Sequence, residues 1–322
     1  MLKFSVIIRT TGKAGEKYRR LLTSIANLNP QPEEVIVVLP VGYELPSDQL
    51  GYEKFYFCKK GMVIQRLYGI EKCMSPYALI TDDDIAFDSN FVNKLSKPVV
   101  SGKYGISAGP LIEFFPNPGI QTFVSSIIGS AIPTVFNRKR YNTVLKTTGY
   151  SFNRQIQIGS GKLYETQSAP WTCFFADVQK LRSIKFADEL WLDECGYSAH
   201  DDTAMFYKAW LMGVKSVIVS DAIYEHLDAK TSSKGNGYTV LYALGFNSVV
   251  FWYRFLSGNH ILEKMWSKFC INYYLFMQKV LNQINYKRGK LTADERDAFS
   301  KGTRAGWKWI KDGKCDLFLR GE

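Results

Sequence analysis

The chain has 322 residues, of which 46% are hydrophobic and 22% are charged, a composition typical of a folded globular protein with one large domain or two small ones. Its formal net charge is +11, and residues 236–322 hold 14 Lys and Arg against 7 Asp and Glu, so +7 of that charge lies in the C-terminal part. Six widely spaced cysteines without a Cys-x-x-Cys pair disfavour a zinc ribbon or a redox motif and favour a reduced, cytosolic protein. The sequence also predicts no signal peptide and no membrane-spanning helix.

Apolar runs alternate with helically spaced segments along the first 81 residues. Strands are predicted at 4–8, 34–39, 55–57 and 77–81, and helices at 18–28 and 61–74. Strands and helices that alternate at this spacing predict βαβ units, and therefore an α/β domain with a mostly parallel sheet flanked by helices. Ligands of such sheets bind outside the carboxyl ends of the strands.

Polar residues follow two of these strands. Thr10 and Thr11 come after the first, and Asp82, Asp83 and Asp84 come after the fourth, so both segments are predicted at one edge of the sheet. Three adjacent carboxylates need a cation or hydrogen-bond donors, and hard oxygen ligands suit a Mg²⁺ or Mn²⁺ ion that holds a diphosphate. An acidic turn that caps the next element is an equally good interpretation of the triplet alone.

The middle of the chain, residues 101–168, is rich in Gly, Pro, Asn and Ser. We expect a loop-rich insertion that covers the predicted site and serves as an acceptor or lid region. It holds a basic cluster at 137–141, which is more typical of solvated surface than of a nucleic-acid site. No nucleic-acid partner is therefore predicted.

The last third of the chain is predicted to be largely helical. A helix is predicted at 201–212, a strand at 214–219, and two aromatic helical segments within 240–286, followed by a basic tail. Helices that pack on the core are one interpretation of the aromatic segments. The other is a basic amphipathic surface that rests on an anionic membrane.

A second acidic motif, Asp201-Asp202, follows His200 at the start of a predicted helix. Such a pair caps a helix well, because the helix dipole favours anions at its N-terminus. Together with Asp82 and Asp84, however, the pair resembles the ordered motifs of family 2 glycosyltransferases of the GT-A fold. In that family an Asp-x-Asp at a strand end is followed further along the chain by a Glu-Asp pair that opens a helix.

The resemblance extends over residues 4–230 and also includes the segment 65–70, Lys208, Gly213 and the strand end at 224–226. Three positions depart from the family pattern. Arg9 stands where the family usually has Pro, Asp201 where it has Glu, and Lys208 where it has Arg. Lys in place of Arg would lose a bidentate contact, if the family's Arg makes one.

The resemblance implies a role for each residue of the predicted site. Two residues would bind the Mn²⁺ or Mg²⁺ ion, Asp84 and His226. Asp202 would be the catalytic base, with Asp201 beside it. The donor would be bound by five residues: Thr10, Thr11, Arg66, Asp82 and Asp83. Trp171 would stack on the acceptor sugar, and a position in the core explains this residue equally well.

Together, these expectations describe a metal-dependent, inverting glycosyltransferase. Its donor would be a nucleotide sugar, a UDP-sugar by family habit, and its acceptor a glycan or a lipid-linked saccharide. Residues 1–235 are predicted to form the GT-A catalytic domain, and residues 236–322 a helical, basic, aromatic extension. We expect a cytoplasmic protein with peripheral contact to the inner face of the membrane through that extension. A sugar nucleotidyltransferase and a catalytically silent carbohydrate-binding protein on the same fold are the alternatives.

Overall fold

The structure, a computed structural model, describes residues 2–115, 124, 127–128, 140–228, 237–258 and 260–318. The strands within these residues are β1 (Phe4–Arg9), β2 (Glu34–Pro40), β3 (Lys54–Cys58), β4 (Tyr77–Asp82), β5 (Ile85–Phe87), β6 (Ile106–Ala108), β7 (Asn142–Val144), β8 (Ser151–Asn153), β9 (Leu163–Thr166), β10 (Cys173–Asp177), β11 (Ser216–Val219) and β12 (Tyr224–His226). The helices are α1 (Glu16–Ala26), α2 (Met62–Lys72), α3 (Phe91–Val100), α4 (Val178–Ser183), α5 (Asp201–Leu211), α6 (Gly237–Leu256), α7 (Ile261–Lys287) and α8 (Ala293–Lys311). Short 3₁₀ segments lie at Ile112–Phe114 and Phe186–Asp193.

An eight-stranded sheet organises the fold, in the order β3-β2-β1-β4-β10-β6-β11-β9. Six of these strands run in one direction, and β10 and β9 run against them. β1 lies between β2 and β4 in parallel register, with Ile7 beside Ile36 and Ile80. The predicted α/β architecture with a mostly parallel sheet and a helical C-terminal part is therefore confirmed.

Helices cover both faces of the sheet. In α1 the residues Tyr18, Leu21 and Ile25 recur at helical spacing and are buried, together with α3, against one face. On the other face α2, α5 and the three C-terminal helices share a second core that includes Phe174 and Phe206. β1 and β2 are buried along almost their whole length because both faces of the sheet are covered.

The C-terminal part contains one more helix than the sequence pattern predicted. Helix α8 lies in the region that was expected to be a basic tail, and a capping box of Thr292 and Glu295 fixes its start. Helices α6 and α8 approach closely at Gly245 and Gly302, where any side chain would meet a backbone carbonyl of the other helix. Among the described residues, no helix is both long and apolar enough to cross a membrane.

The expectation of a loop-rich insertion at 101–168 is only partly correct. β6 and β9 come from this region and are strands of the main sheet, paired with β10 and β11 across long sequence separations. Within the basic cluster, 137–139 lie outside the described residues, whereas the Arg140 guanidinium lies 4.4 Å from the centre of the Trp210 ring. The expected domain boundary at 235/236 also falls outside the described residues.

Candidate active site

The carboxyl ends of β1 and β4 bring Arg9 and Asp82 side by side. The two residues are partners in the register of the strands, and Arg9 Nε donates to Asp82 Oδ1 at 2.9 Å. From α2, Arg66 Nη2 donates to both oxygens of the same carboxylate at 2.7 and 2.9 Å. Burial favours the neutral form of Asp82, but Arg66 and Arg9 outweigh it, and the pKa of Asp82 is lowered. Asp82 is thus an ionised carboxylate held between two guanidinium groups.

Arg66 also connects the two acidic motifs. Its Nη1 lies 3.4 Å from Asp201 Oδ2 and donates to the Met62 carbonyl at 3.0 Å. The Arg66 side chain is 1% exposed, so both carboxylate contacts are shielded from solvent. The edge of the sheet predicted from the strand ends and the helix that begins at Asp201 therefore form one site.

Thr10 and Asp83 lie at the same edge. The Thr10 hydroxyl donates to Asp83 Oδ2 and accepts from the backbone N–H of Gly12 at 2.9 Å, which fixes the turn after β1. Thr10 is buried, and Thr11 beside it is half-buried. Burial raises the pKa of Asp83 to about 6, against the opposing charge of Arg9.

Asp84 and His226 face each other beside the small β5–β12 ladder, in which His226 pairs with Ile85. His226 Nε2 lies 3.2 Å from Asp84 Oδ2. Burial lowers the pKa of His226, but the bond to Asp84 outweighs this effect, and the pKa is raised. Asp84 Oδ1 and His226 Nδ1 are both buried without a hydrogen-bond partner.

These two side chains suit a divalent cation. Each has a buried atom without a hydrogen-bond partner. Within the described part of the chain, the five carboxylates of the site have two arginines and one histidine as cationic neighbours. Mg²⁺ and Mn²⁺ accept one or two protein ligands and complete their shell with phosphate oxygens and water. In the part of the chain that the structure describes, no three His, Cys, Asp or Glu side chains come together around a metal position. A bound ion would therefore depend on a diphosphate for its remaining ligands.

Asp201 and Asp202 open helix α5. Asp201 Oδ1 accepts from the backbone N–H of Asp202 at 2.9 Å, and Asp202 Oδ1 accepts from the backbone N–H of Thr203 at 2.6 Å. Burial raises the pKa of Asp201 to about 7 despite the charge of Arg66, and burial also raises the pKa of Asp202. Asp201 is bonded to Arg66, whereas Asp202 is bonded to the backbone N–H and the hydroxyl of Thr203.

The turn before α5 is fixed by helix α6. His200 has a φ of 67°, in the left-handed region that non-glycine residues rarely adopt, and its Nε2 lies 3.0 Å from Ser248 Oγ. Asn247 Nδ2 donates to the Ala199 carbonyl at 2.7 Å. Burial lowers the pKa of His200 to about 4, so its ring is neutral. Local sequence carries no signal for these contacts, because each partner on α6 lies 48 residues from the residue that it contacts.

A carboxylate that the sequence did not single out, Asp193, joins the same elements. It accepts from the backbone N–H groups of Val63 and Ile64 at 3.1 and 3.0 Å, at the start of α2, and from the Ser198 hydroxyl. Helix α2 begins after Gly61, which has no side chain that could cap the helix. The missing local cap is the one sequence signal that a distant residue caps α2. Asp193 thereby fixes the helix that carries Arg66 to the turn before α5.

Trp171 lies in the core rather than at an acceptor site. Its side chain is 2% exposed, its ring stacks on Phe174 at 4.5 Å, and the rings of Phe186 and Phe206 meet it edge to face. An indole enclosed in this way has no free face for a sugar, so the expectation that Trp171 binds the acceptor is corrected. Its ring instead lies 5.8 Å from the Arg66 guanidinium, in a cation–π contact.

Lys208, at the position that the resemblance gave to the family's basic residue, is part of a buried ion-pair cluster. Its side chain is 1% exposed, and its Nζ lies 2.8 Å from Glu189 Oε1 and 3.0 Å from Asp188 Oδ2. Arg254 donates to both oxygens of Glu189 at 2.6 and 2.8 Å. The cluster joins α5 to α6, so Lys208 has a structural partner in this chain.

Solved structures that are similar to this chain include three of low sequence identity. The crystal structure of GalNAc-T7 with UDP, GalNAc and Mn²⁺ is 12% identical with a TM-score of 0.49, over 89% of this chain and 58% of that chain, so this chain spans less than two thirds of its length. The crystal structure of S. aureus TarS 1–349 is 14% identical with a TM-score of 0.48, over 97% and 92%. The mannosyltransferase PcManGT from Pyrobaculum calidifontis, in complex with GDP-Man and Mn²⁺, is 10% identical with a TM-score of 0.49, over 96% and 87%. No protein-family model and no curated protein sequence matches the chain.

Proposed function

We propose that the protein is a metal-dependent, inverting glycosyltransferase of the GT-A fold and of family 2, of the hexosyltransferase type. The observation that carries the proposal is Arg66, which is buried between Asp82 and Asp201 and so joins the acidic end of β4 to the acidic start of α5. A sugar nucleotide needs both parts of such a site. One part binds the nucleotide and its leaving diphosphate, and the other supplies a base for the acceptor hydroxyl.

The donor, a UDP-sugar in this proposal, lies along the carboxyl ends of β1 and β4. Five residues form its nucleotide-binding edge. The half-buried Thr11 and Asp83 contact the nucleotide, and the buried Thr10, Arg66 and Asp82 hold this edge in shape. The buried, unpaired atoms of Asp84 and His226 support a role for these two side chains as ligands of Mn²⁺ or Mg²⁺. When bound, such an ion would stabilise the negative charge that develops on the departing diphosphate.

The reaction is a single displacement at the anomeric carbon of the donor. The acceptor hydroxyl oxygen forms a bond to that carbon while the bond from the carbon to the diphosphate oxygen breaks. Asp202 takes the hydroxyl proton, and the nucleoside diphosphate leaves with the bonding electrons. One displacement inverts the configuration of the sugar. Asp201, held by Arg66, keeps the start of α5 in place and binds a second acceptor hydroxyl.

The acceptor in this proposal is a glycan or a lipid-linked saccharide. Residues 1–235 form the catalytic domain, and the charge of +7 in residues 236–322 supports a peripheral position at the inner, cytoplasmic face of a membrane. This attachment would keep the enzyme close to a lipid-linked acceptor.

A panel of UDP-, GDP- and dTDP-sugars, incubated with and without Mn²⁺, tests the proposal. We expect slow, metal-dependent release of the nucleoside diphosphate from one donor. Formation of a nucleotide sugar from a nucleoside triphosphate and a sugar 1-phosphate, without release from any donor, would identify a nucleotidyltransferase instead. Calorimetric binding of a donor that is never turned over, even with added saccharide acceptors, would identify a silent carbohydrate-binding protein.

A further inference from the structure

Helix α7 exposes a row of large apolar side chains. Five of them are between 44% and 75% exposed: Leu262, Met265, Trp266, Phe269 and Phe276. Their spacing of three, four and seven residues places them on one side of the helix, and the buried residues of α7, such as Cys270, Ile271 and Tyr274, face the core on the other. We refer to the five exposed residues as the α7 face.

The size of this surface sets it apart from ordinary exposure. Single exposed apolar residues are normal, but a contiguous patch of this kind marks a binding surface. At 1.5 Å per residue, the α7 face extends over about 20 Å. The Tyr273 hydroxyl donates to the Ile127 carbonyl at 2.9 Å, and Ile127 and Val124 are themselves 40% and 45% exposed. The described part of the segment 124–128 therefore continues the apolar surface beside α7.

Positive charge borders the α7 face. Residues 261–290 hold six Lys and Arg and a single acidic residue, Glu263, which gives a net charge of +5. Lys268 and Lys279 are exposed along one flank of the helix, and Lys287, Arg288 and Lys290 are exposed at its C-terminal end. Long basic side chains in such positions can reach past an apolar surface toward anions.

We propose that the α7 face docks onto the surface of an anionic lipid bilayer, with α7 lying in the plane of the interface. Trp, Phe and Leu on one side of a helix with lysines along its border are the composition of helices that lie in the headgroup region. Charge complementarity selects this occupant. A second copy of the chain would bring two segments 261–290, each with a net charge of +5, close together. An anionic surface instead attracts each of them. Each lysine near such a surface strengthens binding about fivefold. The proposal rests on the peripheral membrane position in the proposed function and assigns it to one surface, but it does not depend on the catalytic activity.

Vesicle co-sedimentation of the full chain tests it, with phosphatidylcholine vesicles and with vesicles that also contain phosphatidylserine. We expect binding to the anionic vesicles alone, weakened by salt. The apolar variant, with Leu262, Phe269 and Phe276 changed to Gln, and the charge variant, with Lys268 and Lys279 changed to Glu, should each bind at least about tenfold more weakly.

Matched controls change exposed residues elsewhere in the same way. One control replaces Val41, Tyr52 and Met74 by Gln, and the other replaces Lys59 and Lys97 by Glu; all five positions are exposed. Both controls should bind like the wild type, and all variants should keep the wild-type melting temperature. An equal loss of binding in variants and controls would overturn the proposal, because it would assign the binding to the overall charge of +11.

Two further readouts identify the occupant. Trp266 is exposed, whereas the other six Trp residues are buried or half-buried. Vesicles that contain brominated lipids should therefore quench the Trp fluorescence of the wild type. Trp266→Phe should still bind these vesicles but lose the quenching. Failure to bind anionic vesicles overturns the proposal. Dimerisation in light scattering that the apolar variant abolishes, without vesicle binding, would also overturn it and assign the face to a second copy of the chain.

Discussion

Arg66 lies between two carboxylates that are far apart in the sequence, with guanidinium nitrogens 2.7 Å from Asp82 Oδ1 and 3.4 Å from Asp201 Oδ2. The three side chains come from α2, the end of β4 and the start of α5. Because Arg66 is buried, its charge is compensated by these carboxylates and not by water. The same ion pairs therefore determine the stability of the fold and the shape of the candidate donor site.

Replacing Arg66 with Gln should destabilise the protein by about 3–5 kcal/mol, because it removes one partner from a buried ion-pair network. Urea unfolding measures the change. The matched control is Arg20→Gln, since Arg20 and its partner Glu225 are 47% and 58% exposed, and its cost should stay below about 1 kcal/mol. Equal costs for the two variants would contradict the buried geometry of Arg66.

The stability of the protein should depend on pH through Asp201. Burial raises the pKa of Asp201 to about 7 in the folded chain, whereas an unfolded Asp has a pKa of about 3.9. Between these values the folded chain binds more protons, so the contribution of this carboxyl to stability is complete below about pH 4 and is lost as the pH rises through about 7.

Asp201→Asn removes this dependence. Relative to the wild type, the free energy of unfolding of the variant should rise by about 2–3 kcal/mol between about pH 5 and pH 8. Urea unfolding at the two pH values measures it, and Asp88→Asn, at a side chain that is 52% exposed, is the control whose difference from the wild type should not change. A constant difference for Asp201→Asn as well would show that the carboxyl ionises as in the unfolded chain.

His226→Ala should weaken binding of the divalent ion, because it removes one of the two proposed ligands, the side chain that faces Asp84 at 3.2 Å. We expect the Mn²⁺ concentration for half-maximal diphosphate release to rise about 10–100-fold. His260→Ala is the control, since His260 is exposed at the start of α7 and makes no capping bond. If both variants require the wild-type concentration of Mn²⁺, His226 is not a ligand.

The Glu189 cluster predicts a second large effect on stability. Glu189 is fully buried between Lys208 and Arg254, so Glu189→Gln leaves two buried cations without their shared anion. The expected cost is about 3–5 kcal/mol in urea unfolding. Asp188 also contacts Lys208 but is 53% exposed, so Asp188→Asn should cost less than about 1 kcal/mol. A small cost for both would mean that water reaches the cluster.

The parallel half of the sheet was predictable because its strands are long apolar runs. β1, β2 and β4 are buried on both faces, and such strands are continuous in apolar residues and easy to recognise. The positions of Thr10 and Asp82 at one edge followed from the same pattern, since a βαβ sheet gathers the carboxyl ends of its strands at one edge. These predictions needed only local sequence and the rule for parallel sheets.

Features that depend on distant partners were not predictable. β6 has three residues and becomes a strand by pairing with β10 and β11, neither of which lies near it in sequence. Three phenylalanines determine the position of Trp171, and two of them, Phe186 and Phe206, belong to later elements of the chain. Lys208 was interpreted from its position in the family pattern, whereas its environment is set by Glu189, which comes from another element. Tertiary packing fixed all three.

Asp202→Asn separates catalysis from binding, because in the proposed site Asp202 accepts the proton and the nucleotide sugar binds without its help. The measurement is donor affinity by calorimetry together with release of nucleoside diphosphate, both with Mn²⁺, for the wild type and the variant. We expect a nearly unchanged affinity and a release rate lower by about 10²–10⁴-fold. Undiminished release by Asp202→Asn would contradict this expectation, and the base would then have to be sought elsewhere in the site.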